Sequence, residues 1–308
     1  MINKDFKSIF ELIKAFPDEQ TCIDHLTELR WNGNVVSPFD PESKVYSCAG
    51  NKYKCKNTSK YFNVKTGTLF DNTKIELQKW FMAIYLITGH SKGISSIQLS
   101  KDIDVTQKTA WFMLQRIRNC FGMDDDSKLD NEVEVDETYV GGEYKNKSIS
   151  KRKEIHKDGL QTGMNDKAPV IGMLERGGNV KCVVVEKAHG KTIKPILFDK
   201  INPSAHVMTD GFGGYSGINK NFFHHSVVNH NLGEYVNGRI HTNTIEGFWS
   251  ILKRGILGIY HFTSKKHLQK YVDEFVFRYN GRNSSTQLKF NDMLSNTEHR
   301  LTYKALIG

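Results

Sequence analysis

The sequence has few cysteines, and their arrangement argues against a disulfide-stabilised fold. The five cysteines are scattered along the chain and odd in number: Cys22, Cys48, Cys55, Cys120 and Cys182. Disulfide frameworks use paired cysteines in secreted domains. The cysteine usage is therefore typical of a protein in a reducing compartment.

The chain also lacks any long apolar run. No segment approaches the ~18 uninterrupted apolar residues that a membrane-spanning helix needs. The first residues, MINKDFKSIF, lack the apolar core of a signal peptide. Both absences predict an intracellular, cytoplasmic protein with no membrane partner.

Acidic residues are too few to balance the basic ones. The 308 residues include 43 Lys and Arg against 34 Asp and Glu, which gives a formal net charge of +9 and a pI near 9.1. This surplus favours a polyanionic partner, most simply nucleic acid, although a basic soluble protein without such a partner has the same composition. The length is enough for about two domains.

Residues 1–123 are predicted to form a mostly helical N-terminal region. Residues 33–70 interrupt it with a stretch rich in Gly, Ser, Asn, Pro and Lys that contains short β-like pieces. Residues 93–119 have the plan of a helix-turn-helix, with Thr106 as the N-cap of the second helix. Four polar or basic side chains are expected to be exposed there and available to DNA: Gln107, Lys108, Arg116 and Arg118. Any two-helix corner of a helical subdomain gives a similar pattern.

The pattern changes after residues 124–131, an acidic stretch that we expect to be a linker. Over 132–285 the order is strand (EVEVDETYVGG), hairpin, helix, strand (HVMTD) and a long helix from residue 243. This order is that of an α/β, RNase H-like fold, in which helices flank a mixed central sheet. Residues 286–308 are predicted to form a C-terminal tail.

Three carboxylates stand at informative places in this order. Asp136 lies near the end of the first strand, Asp210 ends the strand HVMTD, and Glu246 lies at the start of the long helix. In RNase H-like folds two neighbouring strands bring their acids together and a later helix supplies the third. Taken singly, each acid has a plainer explanation, since Asp before Gly favours turns and Glu suits a helix N-terminus.

Converging carboxylates repel one another unless a cation joins them. Hard oxygen ligands select Mg²⁺, for which Mn²⁺ can substitute. Two such ions about 4 Å apart can activate an attacking oxygen and stabilise the leaving 3′ oxygen of a phosphodiester. The three acids therefore predict metal-dependent chemistry on a nucleic-acid backbone.

The long helix, HTNTIEGFWSILKRG, has two unlike faces. Its apolar stripe comprises Ile245, Phe248, Trp249, Leu252 and Ile256. Another stripe comprises Asn243, Glu246, Ser250 and Lys253. A solvated face with a loose acid–base pairing explains the polar stripe as well as a functional site does.

Three blocks, VEVDETYVGG, VMTDGFGGY and HTNTIEGFWSILKRGILGIYH, resemble those of DDE-type transposases of insertion-sequence family 1595. The segment LQKWFMAIYLITGHSKGISSIQLSKDIDVTQKTAWFMLQRIR is similar to the helix-turn-helix segment of that family. The resemblance covers residues from about 20 to 280. It implies an enzyme that cuts or transfers strands at the ends of a mobile DNA element. Double-stranded DNA of the element ends and target is the implied partner, bound by a homodimer or larger assembly.

The resemblance assigns roles position by position. Asp136 and Asp210 match the first two catalytic acids and metal ligands. Both Asn243 and Glu246 fit the third block, and we prefer Glu246 because a carboxylate binds Mg²⁺ more strongly than an amide. The basic position that follows the third acid is matched by Lys253, with Arg254 beside it, and is expected to contact DNA phosphates.

The sequence departs from this family near its N-terminus, where relatives carry a zinc ribbon with paired Cys-x-x-Cys knuckles. Ser37 and Asp40 stand where one knuckle is expected, and Thr58 stands at the partner position of Cys55. Four-coordinate zinc needs four good ligands. We therefore expect a degenerate ribbon over 33–70 without structural zinc.

Two other functions remain compatible with the sequence. One is a catalytically silent DNA-binding regulator of the same fold, and the other is a different RNase H-like endonuclease. The intact acids favour catalysis over the first, and the helix-turn-helix favours site-specific ends over the second.

Overall fold

The structure is a computed structural model that describes residues 6–122, 127–142, 147–150, 152–153, 167–220, 222, 224–228 and 239–308. The chain divides into two units, one formed by Met1–Met123 with Asn283–Gly308 and the other by Asp124–Arg282. Among the helices of the described residues, none is long and apolar enough to cross a membrane.

In its N-terminal part, the described residues of the first unit form five helices and a small sheet. In chain order the elements are α1 (Ile9–Ala15), α2 (Glu19–Trp31), β1 (Val45–Cys48), β2 (Lys52–Cys55), β3 (Tyr61–Phe62), α3 (Leu77–Gly89), α4 (Ser96–Asp102) and α5 (Gln107–Phe121). The three strands form an antiparallel sheet in the order β1-β2-β3. The sheet falls within the degenerate ribbon predicted from the sequence.

Short polar side chains begin most of these helices. The hydroxyl of Thr106 accepts a hydrogen bond from the backbone N–H of Thr109, which is the predicted cap of α5. Ser95 caps α4 in the same way, through the N–H of Gln98. The two helices are joined by a tight turn in which Asp104 adopts a left-handed conformation with φ of +49°. The structure thus contains the predicted helix pair; its use in DNA binding stays a prediction.

The second unit is a mixed α/β layer structure. Its elements are β4 (Glu132–Val140), β5 (Ala168–Glu175), β6 (Val180–Val184), α6 (Gly190–Lys200), β7 (His206–Asp210), β8 (His224–Val228), α7 (Asn243–Gly255) and α8 (Leu268–Asn280). The strand order is β6-β5-β4-β7-β8. Strands β4, β5 and β6 are antiparallel neighbours, whereas β7 and β8 run parallel to β4. A mixed sheet flanked by helices is compatible with the expected RNase H-like fold.

Each face of this sheet has its own apolar core. On one face Val133 and Val135 of β4 pack with Ile193 and Leu197 of α6. On the other, residues of β5 and β6 pack against α7 and α8, and the whole predicted apolar stripe of α7 is buried there: Ile245, Phe248, Trp249, Leu252 and Ile256. Side chains alternate along a strand, so neighbouring residues of β4 serve different cores.

The predicted linker and tail are both packed segments where the structure describes them. Residues 124–126 of the linker lie outside the described residues, but Leu129 is buried and forms a bridge with Ile201 of the second unit. Residues 286–308 contain α9 (Thr286–Ser295) and α10 (Tyr303–Ile307), which belong to the first unit. The ring of Phe290 in α9 lies 5.5 Å from that of Phe81 in α3. The last residues therefore complete the core of the first unit.

Candidate active site

The carboxylates of Asp136 and Asp210 meet at the edge where β4 and β7 end their pairing. The two parallel strands pair from Glu132 with His206 as far as Val135 with Thr209, so the next residue of each strand is an aspartate. Oxygen atoms of Asp136, Asp210 and also Glu137 all lie within 4.8 Å of one another. We call these three residues the acidic cluster. It brings together acids that are 74 positions apart along the chain.

Glu137 is the member that the sequence analysis missed. Alternation along β4 assigns its side chain to the opposite sheet face from Asp136, so alternation alone does not predict a shared site. In the structure the hydroxyl of Tyr215 donates a 2.7 Å hydrogen bond to Glu137 Oε2. The adjacent acidic pair in VDET is the signal in the sequence that could have indicated it.

The glycine-rich turn after β7 holds two members of the acidic cluster. The backbone N–H of Phe212 donates a 3.0 Å hydrogen bond to Asp210 Oδ1. Three residues further on, Tyr215 is buried and reaches Glu137. The turn DGFGGY therefore fixes an acid on β7 and an acid on β4 at the same time.

Burial and repulsion from neighbouring acids raise the pKa values of Asp136 and Glu137. Burial, with the charge of Asp210 next in importance, raises the pKa of Asp136 to about 6; the Trp249 hydrogen bond opposes this and Glu246 adds a smaller increase. Burial raises the pKa of Glu137 to about 7, although the Tyr215 bond lowers it and Asp210 and Asp136 raise it. A divalent cation relieves such repulsion, and carboxylate oxygens suit Mg²⁺ or Mn²⁺.

Trp249 of α7 contacts the acidic cluster directly. Its indole Nε1–H donates a 2.9 Å hydrogen bond to Asp136 Oδ2. Gly172 of β5 lies opposite Asp136 in the sheet and leaves the space that the indole ring fills. A Cβ atom at position 172 would lie 2.5 Å from two ring carbons of Trp249. A glycine at this position is thus what allows Trp249 to reach Asp136.

A second contact between β4 and α7 is made by Glu134, which is fully buried. Its carboxylate accepts hydrogen bonds from the backbone N–H groups of Thr244 (2.9 Å) and Ile245 (3.0 Å), at the first turn of the helix. Arg176 donates to the same carboxylate at 2.6 Å and also binds the carbonyl oxygen of His241. Thr242, at the N-cap position, makes no side-chain cap hydrogen bond. Glu134 therefore caps α7 from the neighbouring strand and sets its position against the acidic cluster.

The two residues predicted for the third acidic position, Asn243 and Glu246, are both exposed on α7. Glu246 accepts a 3.3 Å hydrogen bond from Thr242, and its charge acts on Asp136, but it lies outside the 4.8 Å acidic cluster. Asn243 is the first residue of the helix. Lys253 and Arg254 are exposed on the last turn of the same helix.

Two of the four predicted DNA-contacting residues of the helix pair are buried, so the expectation that they are exposed is wrong. Arg116 donates hydrogen bonds to the carbonyl oxygens of Leu301 (3.0 Å) and Leu69 (2.8 Å). Arg118 is 1% exposed. Arg116 is covered by the C-terminal segment around Leu301 and by the segment around Leu69. Gln107 and Lys108, at the start of α5, are exposed.

The chain resembles known transposase sequences over most of its length. Residues 128–280 match the model of the ISXO2-like transposase domain. A protein of Halobacterium salinarum described as an uncharacterized protein in transposable element ISH50 is 32% identical over 275 residues, covering 86% of this chain and 92% of the relative. An uncharacterized transposase-like protein of Haemophilus influenzae is 29% identical over 109 residues, covering 35% of this chain and 87% of the relative.

Proposed function

Because the chain belongs to the insertion-sequence family 1595 transposases, we propose that it cuts and joins DNA strands at the ends of a mobile element. The reaction is phosphodiester hydrolysis followed by strand transfer, dependent on Mg²⁺ or Mn²⁺. Its substrate is double-stranded DNA, and we expect a homodimer or larger assembly because two element ends must be held together.

The acidic cluster is the observation that carries this proposal. Its oxygens lie within 4.8 Å of one another, and the pKa values of Asp136 and Glu137 are raised to about 6 and about 7. This donor set fits hard divalent cations, because it contains only carboxylate oxygens. When bound, a divalent cation supplies activation of the attacking oxygen and neutralises charge on the leaving oxygen of a phosphodiester.

The residues around the acidic cluster orient its carboxylates. Asp136 and Asp210 are the proposed cation ligands. The indole of Trp249 fixes Oδ2 of Asp136 at 2.9 Å, and Oδ1 is the oxygen proposed to bind the cation. The Phe212 amide holds Oδ1 of Asp210 in the same manner. Preorganised ligands of this kind bind a cation without rearranging.

Glu246 is proposed as the third acid in preference to Asn243. A carboxylate binds Mg²⁺ more strongly than a neutral amide, and the charge of Glu246 already contributes to the raised pKa of Asp136. Lys253 and Arg254 are proposed to contact DNA phosphates, since both are exposed on the same helix. In the helix pair, Gln107 and Lys108 are the remaining candidates for contacts in a DNA groove.

The test is a cleavage and strand-joining assay on DNA that carries the terminal repeats of the element, with Mg²⁺. The wild-type protein is expected to cut and join these ends. Asp136→Asn and Asp210→Asn should each reduce both products to background, because each replaces a charged cation ligand by a neutral amide of the same shape. Asp199→Asn, on the surface of α6, is the matched control and should retain activity.

Three outcomes would replace the proposal. Strand joining by Asp136→Asn or Asp210→Asn at the wild-type rate would remove the acidic cluster from the chemistry. Tight metal-free binding of the ends, with no cleavage by the wild-type protein in Mg²⁺ or Mn²⁺, would indicate a silent DNA-binding regulator. Cleavage that ignores the terminal repeats would indicate an endonuclease of another kind.

A further inference from the structure

The small sheet of the first unit presents a face made of lysine and tyrosine. The register places Tyr46 opposite Lys54 and Lys54 opposite Tyr61, so these side chains form one row across all three strands. Neighbouring rows on the same face contain further lysines, because Lys56 is opposite Lys44 and Lys52 is opposite Cys48. We call this set the ribbon face: Lys44, Tyr46, Lys52, Lys54, Lys56 and Tyr61.

Most of the net charge of the chain comes from the segment that forms this sheet. Residues 43–70 contain no acidic residue and six lysines: Lys44, Lys52, Lys54, Lys56, Lys60 and Lys65. Among the described residues only Lys65 of these six is in an ion pair, with Glu19. Like charges on opposite strands, such as Lys44 and Lys56, destabilise a sheet. A polyanionic ligand removes that cost, whereas the protein itself supplies no acid to do so in this segment.

The two tyrosines of the ribbon face are unusually exposed for large aromatic side chains. Tyr46 is 42% and Tyr61 is 60% exposed. The ammonium group of Lys44 lies 5.5 Å from the ring centroid of Tyr46, and that of Lys54 lies 5.6 Å from that of Tyr61. The rings belong to the two outer strands, about 10 Å apart at two strand spacings. Aromatic rings set among lysines offer stacking surfaces for bases together with charge for phosphates.

Aromatic packing stabilises the opposite face of the sheet. Trp31 and Phe62 pack on Tyr53, with ring centroids 5.4 Å and 5.6 Å away. Cys55 is buried there; burial raises the pKa of its thiol, but hydrogen bonds from Ser37, Ser43 and Thr58 outweigh this effect and lower it to about 6. One thiol with hydroxyl groups is not a zinc donor set, and Cys48 lies on the ribbon face instead.

We propose that the ribbon face binds a DNA strand, with its lysines on phosphates and its tyrosine rings against bases or sugars. This inference rests on the proposed function for the identity of the polyanion, and it adds a DNA-contacting surface apart from the helix pair and the acidic cluster. Charge alone would also attract an acidic protein. The exposed rings of Tyr46 and Tyr61 on either side of Lys54 favour a nucleic acid, because bases offer flat surfaces on which both rings can stack.

The lysines are tested by the salt dependence of DNA binding to the full chain in EDTA, which prevents cleavage. The ribbon variant combines Lys44→Gln, Lys54→Gln and Lys56→Gln; the control variant combines Lys7→Gln, Lys14→Gln and Lys304→Gln, also in the first unit. The plot of log K against log salt has a negative slope, and each lost phosphate contact reduces its magnitude by about 0.9 for duplex and about 0.7 for single strands. The ribbon variant should therefore lose about 2–3 units of slope, and the control should keep the wild-type slope.

The tyrosines are tested with single-stranded and duplex oligonucleotides of equal length. Tyr46→Ala with Tyr61→Ala should weaken single-strand binding about tenfold or more, because stacking on each base is lost, and should change duplex binding about twofold at most. Thermal midpoints of all variants show whether the fold is retained. Because binding is measured without metal, a protein that fails to cleave can still support the inference.

Three results would overturn the inference. The ribbon variant could bind both oligonucleotides with the wild-type affinity and salt slope. The control variant could lose as much slope as the ribbon variant, which would mean that the charge acts without a defined surface. Light scattering could show that the ribbon variant changes the oligomeric state without changing DNA affinity, which would make the face a protein interface.

Discussion

Replacing Gly172 by alanine should disturb the acidic cluster from the far side of Trp249. A methyl group at this position would lie 2.5 Å from the indole ring and 2.9 Å from Ile245 Cδ1. Carbon atoms normally pack at about 3.5–4.0 Å, so the ring must move by about 1 Å. Trp249 is only 4% exposed and has little room for this movement. The 2.9 Å hydrogen bond to Asp136 is therefore expected to lengthen beyond the useful range.

Two costs combine in this variant. Overpacking a well-filled core costs about 1–3 kcal/mol. Loss of a hydrogen bond to a charged group adds about 1.5–3 kcal/mol, although the two costs overlap because one movement produces both. We expect the second unit to lose about 2–4 kcal/mol in total, and its unfolding midpoint to fall by roughly 5–15 °C. Because the Trp249 bond lowers the pKa of Asp136, its loss should move that pKa above about 6 and weaken cation binding near pH 7.

Thermal unfolding of the full chain, followed by near-UV circular dichroism, and Mn²⁺ titration at pH 7 are the two assays. Trp249→Phe is the companion variant, since it keeps a ring but removes the N–H donor; it should weaken cation binding with a smaller loss of stability. Gly142→Ala is the control, because a Cβ atom there meets no atom within 4 Å. If Gly172→Ala unfolds within about 1 °C of the wild type and binds Mn²⁺ equally well, the account of Trp249 is wrong.

Three further predictions concern charge. Cation affinity should rise from pH 5 to pH 8, because Asp136 and Glu137, with pKa values of about 6 and about 7, release protons over this range. A cation affinity that does not change with pH in calorimetric titrations would contradict this prediction. Asp210→Asn should raise the unfolding midpoint of the metal-free protein at pH 8. The pKa values of Asp136 and Glu137 are raised in the folded protein, so these groups cost stability as the pH rises from about 4 through about 7. The gain from Asp210→Asn should therefore vanish near pH 4, where both groups are protonated. Glu134→Ala should cost about 3–5 kcal/mol in urea unfolding, because it removes the nearest carboxylate partner of Arg176 and leaves the N–H groups of Thr244 and Ile245 without their acceptor. Glu132→Ala, at a 30% exposed carboxylate, should cost under about 1 kcal/mol.

Local patterns in the sequence were sufficient to predict most elements of the second unit. Alternation predicted β4, and the predicted hairpin is formed by β5 and β6, with Gly177 in its turn at a φ of +74°. The apolar spacing of HTNTIEGFWSILKRG predicted a helix with one buried face, which is α7. These features depend on neighbours in sequence, and periodicity and turn chemistry report on such neighbours directly.

The position of Glu137 in the acidic cluster could not be predicted in this way. Its place depends on the hydroxyl of Tyr215, which is 78 residues away in the chain. Alternation along β4 separates Glu137 from Asp136, but side chains at the end of a strand pairing can converge around the edge. Glu134 was overlooked for the same reason, because its partners on α7 and at Arg176 are distant in sequence.

Arg116 and Arg118 of α5 were expected to be exposed but are buried, which shows the limit of helix periodicity as evidence. Arg116 lies outside the apolar stripe that the spacing defines, and basic residues are usually exposed. Its guanidinium group is instead buried and binds Leu301 O, 185 residues further along the chain. Contacts with segments distant in sequence, around Leu69 and Leu301, therefore remove Arg116 from the predicted DNA-binding set, and the burial of Arg118 removes a second residue. Gln107 and Lys108 at the start of α5 are exposed, with the ammonium group of Lys108 5.5 Å from the ring centroid of Tyr303.

Binding of Mn²⁺ to the full chain at pH 8 without DNA, measured by electron paramagnetic resonance, tests the central claim most directly. That claim is that Asp136 and Asp210 together hold a divalent cation. The account predicts that the wild-type protein binds Mn²⁺ and that Asp136→Asn and Asp210→Asn each weaken binding by at least about tenfold, while Asp199→Asn binds as the wild type does. Equal Mn²⁺ affinity in all four proteins would contradict it.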